Sequence, residues 1–187
     1  MTNINTIPKN LLRKFIIHRK LSGTVSFLRY LQKKGQLKDF CVFCEANGYN
    51  PQLSLQLPLG ILFHGSRELR SVLIPNISIG RHSKAENRAL LYATDDPNYA
   101  IFLAILNLRN GGASVKMTGK KPVLTVDLDF VNGPSKIKDG YVHIISSKSF
   151  KKTRNKEYVA DISVKVLFIV PVTFKDLTAP ICIQSES

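Results

Sequence analysis

Ile61-Leu62-Phe63-His64-Gly65-Ser66-Arg67 is the stretch on which the reading of the fold turns. An apolar run of strand character, starting near residue 59, ends abruptly in a histidine, a glycine and a serine. The run reads as a buried strand. Its tip is a rigid place to mount a polar group. Gly65 lacks a Cβ, so another group can approach the backbone closely there. A polar pair hinged on a glycine at a strand end points to a small-molecule site.

Working outward, the chain changes character at residues 51–58. Before it, helical patterns dominate. Leu11, Leu12, Phe15 and Ile16 fit an amphipathic helix. Ser22 or Thr24 is placed to cap a helix carrying Val25, Phe27, Leu28 and Leu31, with Gly35 as its stop. Leu37, Phe40, Cys41 and Cys44 recur at helical spacing, which predicts a further helix over 37–46 with both cysteines in the core. After the strand at 59–63 come a linker with Leu69, Val72, Leu73 and Ile74, a polar loop over 76–88 and a short strand at 89–93. Thr94-Asp95-Asp96-Pro97 is a helix start, with a capping side chain, early acids and proline in the first turn. The helix predicted to follow, 98 to about 108, is apolar on nearly all sides and belongs in the core. Strands are predicted at 123–131, 141–146, 158–164 and 165–174. The class is α+β, divided into a basic helical segment (1–56) and a strand-rich domain (57–187).

Composition sets the partners. The 187 residues carry a net charge of +14, a field that attracts nucleic acid, an anionic membrane or an acidic protein. The distribution is uneven: residues 1–38 hold nine Lys/Arg and no Asp or Glu. A second cluster, Lys148, Lys151, Lys152, Arg154 and Lys156, falls in one short loop. No run approaches the ~18 apolar residues of a membrane span. The N-terminal stretch is basic and acid-free like a transit peptide, but the spacing of its apolar residues favours an ordinary amphipathic helix. Three cysteines, an odd number, speak for a reducing, cytoplasmic setting rather than a disulfide framework. A lone Cys41-Val-Phe-Cys44 is too little for zinc, and nothing in the sequence implies a metal.

Three motifs in order bring the chain to a family. His64-Gly65-Ser66 ends a strand; Leu91-Tyr92-Ala93 leads into a helix; Asn155-Lys156-Glu157-Tyr158 opens a late strand. This order resembles the His-Tyr-Glu signature of ADP-ribosyltransferases, in the diphtheria-toxin and poly(ADP-ribose) polymerase branch, and covers about residues 59–174. The resemblance implies a split β-sheet core and an enzyme that cleaves the nicotinamide–ribose bond of NAD and transfers ADP-ribose. In that family the histidine hydrogen-bonds the adenosine ribose, the glycine backbone holds the nicotinamide amide and the serine contacts ribose, which gives those roles to His64, Gly65 and Ser66. Tyr92 matches the tyrosine that stacks on nicotinamide, and Tyr99 is a second stacking candidate, although nearer to Tyr92 than the polymerases' spacing. Glu157 matches the glutamate that binds the nicotinamide-ribose hydroxyl and stabilises the cationic transition state.

Each residue also has a plainer reading: a satisfied core histidine, a strand aromatic, a surface carboxylate beside Lys156 or Arg154. Asn155 stands where arginine-modifying toxins carry Glu or Gln, which argues against an arginine acceptor. A carboxylate at the third motif argues against the RNA 2′-phosphotransferase relatives. In the family the loop before the glutamate helps select the acceptor. Here that assigns acceptor contacts to Lys148, Phe150, Lys151, Lys152, Arg154 and Asn155. Cations interleaved with an aromatic suit a phosphate backbone and a stacked base, and also an acidic protein surface. The N-terminal charge tips the balance slightly to nucleic acid. The rivals are a non-catalytic basic module on the same scaffold, an enzyme that only hydrolyses NAD, and a 2′-phosphotransferase whose basic residues grip phosphate.

Overall fold

Phe15 organises the first third of the chain. It sits on α1 (Lys9–His18) with Leu11 and Leu12 on the same buried side. The rings of Phe27, Tyr30, Phe40 and Phe43 meet it edge-on, with centroids 4.9–5.7 Å away, the geometry in which aromatic quadrupoles attract. These rings come from α2 (Thr24–Gln32) and α3 (Gln36–Ala46). The computed structural model describes residues 6–50, 60–76, 89–106, 113–118, 121–127, 137–153 and 157–184.

The expected cap of α2 is not used. Gly23 holds the N-cap position, Ser22 Oγ lies 2.7 Å from Ser26 Oγ, and the Thr24 hydroxyl donates to Asp176 instead. A tertiary partner has outbid the local cap. Gly35, at φ +83°, makes the left-handed turn into α3, a conformation that strains any side chain. Cys41 and Cys44 are buried on α3, and burial pushes both thiols up to about 12. They pack as small hydrophobes.

The strands form two sheets. The larger has the order β2-β9-β6-β1-β3-β8-β7 and is antiparallel throughout. Its members are β1 (Ile61–Ser66), β2 (Val72–Leu73), β3 (Leu91–Thr94), β6 (Gly140–Ser146), β7 (Lys151–Lys152), β8 (Glu157–Ala160) and β9 (Val164–Val172). The smaller joins β10 (Ile181–Gln184), β5 (Lys121–Asp127) and β4 (Ala113–Thr118), with β10 parallel to β5. With four helices, the fold is α+β.

One face of the large sheet carries α4 (Pro97–Ile105) and, beyond it, the three N-terminal helices. The helices and this face share one buried cluster, in which Phe40 meets Phe168 of β9 at 5.4 Å. The Ile7 amide also donates to Ile169 at 3.0 Å. The opposite face holds a smaller cluster: Leu62, Leu91, Ala93, Ile145, Ala160, Val164, Val166 and Ile169 with Leu73.

Two boundaries differ from the sequence reading. α4 starts as expected, with Asp96 Oδ1 accepting from the Asn98 and Tyr99 amides at 2.9 and 3.1 Å and Pro97 in the first turn. It ends at Ile105, where Leu106 turns extended and bridges Ile137. The Ile105 carbonyl takes an amide from Lys138 and a guanidinium N–H from Arg67. Those partners stop the helix short of the expected end near 108. The segment predicted as a strand over 158–164 breaks at 161–163 instead. β8 pairs with β3 while β9 pairs with β6 and β2, so the two pairings need separate strands with a break between them. The strand predicted at 123–131 is seen as β5, and its last residues lie outside the described ones.

Candidate active site

Three strands far apart in sequence stand side by side as β1-β3-β8, and they carry the three motifs. Phe63 lies opposite Thr94, and Thr94 opposite Glu157. Two inter-strand steps, about 10 Å, therefore separate the start of β8 from β1. Registered residues share a face, so Thr94 and Glu157 look toward α4 with Phe63. Tyr92, opposite Val159, joins them.

Phe63–Thr94 is the single register pair between β1 and β3. His64-Gly65-Ser66 and Leu91-Tyr92 lie just beyond this pair on the two strands. His64 alternates with Phe63 and so takes the opposite face of β1 from Phe63, reaching the Tyr92 backbone rather than its ring. Its Nδ1 donates to the Tyr92 carbonyl at 2.7 Å, which fixes the neutral ring as the Nδ1–H tautomer and leaves Nε2 as an acceptor. Among the described residues Nε2 has no hydrogen-bond partner. Burial holds the imidazole below its ordinary pKa, so the neutral form persists.

Glu157 is half-buried, and the Tyr99 hydroxyl of α4 donates to its Oε1 at 3.0 Å. Burial first, and the neighbouring carboxylate second, push the Tyr99 phenol up, which keeps it a donor. Tyr99, half-buried on α4, is thus the carboxylate's positioning partner. Tyr92 is 36% exposed. Ser66 Oγ accepts from the Glu68 amide at 3.1 Å, a local turn that leaves its proton to donate.

Gly65 has a second use. A Cβ there would lie 2.0 Å from the Ala100 carbonyl oxygen of α4. The close approach expected of a ligand is made by a helix. A ligand at Gly65 has only the peptide group to meet.

The basic loop divides. Lys148, Lys151 and Lys152 are exposed, the last two on the edge strand β7. Phe150 is half-buried against the smaller cluster beside Tyr158, so its ring belongs to the fold and is no free platform for a base. Arg154 and Asn155 lie outside the described residues.

The chain matches no family model, no curated protein and no solved structure.

One residue of the site escaped the sequence reading. His143 of β6 stands opposite His64, fully buried, with ring centroids 5.8 Å apart. Its Nδ1 donates to the His64 carbonyl and its Nε2 accepts the Arg70 amide, both at 3.3 Å. The neighbour register of β1 and β6 was the missing signal; the local pattern Tyr141-Val-His-Ile-Ile shows only an alternating strand. Burial and the neighbouring His64 lower the His143 pKa to about 4. The unfolded chain, with an ordinary pKa near 6.5, binds the proton first, so stability is full above that value and falls as pH drops toward 4. The loss expected from this one group is roughly 3 kcal/mol. Urea melts of wild type and His143→Gln at pH 7 and pH 4.5 check it: the variant's stability changes less between the two.

No helix among the described residues is long and apolar enough to cross a membrane.

Proposed function

We propose that the chain is an ADP-ribosyltransferase of the His-Tyr-Glu kind, which cleaves the nicotinamide–ribose bond of NAD and passes ADP-ribose to an anionic macromolecule. The observation that carries the reading is adjacency: His64, Tyr92 and Glu157 come from three neighbouring strands, and His64 is bonded to the Tyr92 backbone.

The groups suit NAD. An exposed aromatic face can cover the flat nicotinamide ring at low entropic cost. His64 Nε2 is an acceptor for a ribose hydroxyl. A carboxylate oriented by Tyr99 faces the charge that develops as the ribose–nicotinamide bond breaks and its electron pair leaves with nicotinamide. The acceptor nucleophile then bonds to the anomeric carbon and gives up its proton. Without an acceptor, water completes the same step as hydrolysis.

Purified protein is expected to release nicotinamide from NAD, and Glu157→Gln to lower the release by about a hundredfold or more. Identical background rates in both would remove the enzyme reading and leave the basic binding module. Tyr92→Ala is expected to raise KM for NAD up to about tenfold, the worth of one aromatic contact, while Tyr92→Phe stays near wild type. Initial rates across a range of NAD concentrations check this.

A further inference from the structure

We infer that Lys33 and Lys34, in the turn between α2 and α3, form the second half of the acceptor surface, and that the acceptor is a single-stranded nucleic acid lying across Glu157. The contacts run through one turn, residues 95–96. On the α4 side, the Gln32 amide donates to the Asp95 carbonyl at 2.9 Å, which brings the adjoining Lys33 and Lys34 to that turn. From the other face, the Tyr158 hydroxyl donates to Asp95 Oδ2 at 3.2 Å. Lys152 Nζ lies 5.9 Å from the same Tyr158 ring. Basic groups separated by more than a hundred residues thus bracket one short acidic stretch.

Lys33, Lys34, Lys148, Lys151 and Lys152 are all exposed, and none makes an ion pair among the described residues. Asp95, held from both sides, stands between them, with Asp96 next to it in the chain and Glu157 opposite Thr94. A uniformly acidic protein face laid across this surface would meet those carboxylates at its centre. A nucleic-acid strand alternates anionic phosphates with neutral nucleosides. Phosphates on the two lysine groups leave a nucleoside over the carboxylates, where transfer would occur. The choice of acceptor rests on the proposed transferase activity for its chemistry; the binding surface itself does not.

The test is fluorescence anisotropy with end-labelled single-stranded 12-mers and 3-mers of DNA and RNA, without NAD. The variants are Lys33→Glu/Lys34→Glu, Lys151→Glu/Lys152→Glu, and a Lys9→Glu/Lys14→Glu control of equal charge change on α1. Lys→Gln versions and thermal melts accompany each. Both bracketing pairs are expected to weaken 12-mer binding about tenfold and to lower the slope of log affinity against log salt by about 1.4, two single-strand phosphate contacts. The control is expected to lose less than threefold. The advantage of the 12-mer over the 3-mer is expected to vanish when either pair is reversed, because only a strand reaching both sides gains from both. Loss from one pair alone, a control as weak as the others, or polyglutamate binding as tightly as the 12-mer would each overturn the inference. Nicotinamide release is measured alongside. Its absence in wild type removes the proposed activity and leaves the binding result standing.

Discussion

Glu157→Gln is expected to lower nicotinamide release from NAD by a hundred- to a thousandfold, on the order of what one preorganised electrostatic contact supplies to a transition state. Gln is the informative replacement because it keeps shape and an oxygen for the Tyr99 hydroxyl now donating at 3.0 Å. What it removes is the negative charge facing the ribose as it turns cationic. The loss should therefore appear in kcat, with KM for NAD little changed, because uncharged contacts bind the ground state. Thermal melting should stay within about 1 °C of wild type, since a half-buried carboxylate with one neutral donor contributes little to folding. A matched fall in Tm and activity would instead mark Glu157 as a structural residue. Tyr99→Phe separates the parts further. It leaves the charge and removes only its orientation, so its rate should fall between wild type and Glu157→Gln.

The sequence carried some elements of this arrangement better than others, and the difference is physical. The start of α4 was legible because its signals are local: Asp96 caps it and Pro97 fits its first turn. Its end was not, because the partners that stop it, Lys138 and Arg67, come from other parts of the chain. The α2 cap failed for the same reason, with Thr24 drawn to Asp176 more than a hundred residues away. β4 and β10 were missed. β10 is a short segment on the rim of a three-stranded sheet, where pairing with β5 rather than any strong pattern of its own defines the strand. At the site, motif order named the strands that meet, since a polar residue ending an apolar run is visible locally. It could not show which face each side chain takes. Tyr99, a stacking candidate or a core ring in the sequence, donates its hydroxyl to the carboxylate. His143 was invisible until β6 was set beside β1.

Gly65→Ala is expected to be the most damaging small substitution in the site, and through the fold rather than through a ligand. The added methyl would sit 2.0 Å from the Ala100 carbonyl oxygen, 2.8 Å from the Ala104 amide nitrogen and 3.0 Å from the Ala100 carbonyl carbon. All three are backbone atoms of α4, so no side chain can swing away to relieve the clash. Gly140 on the neighbouring β6 makes the same kind of seat, where a Cβ would lie 2.1 Å from the Ala104 oxygen. The helix rests directly on two glycines, and either alanine must lift it from the sheet. Overpacking of this kind costs about 1–3 kcal/mol, a fall of several degrees in Tm for a chain of this size. Lifting α4 also moves Tyr99 away from Glu157, so nicotinamide release should fall with stability in both variants, measured at a temperature where each is still folded. A Gly65→Ala variant with wild-type Tm and a raised KM would reverse the assignment, making Gly65 a ligand contact. With Gly140→Ala as the companion, a shared loss of Tm identifies the helix seat, because Gly140 bears none of the motif residues.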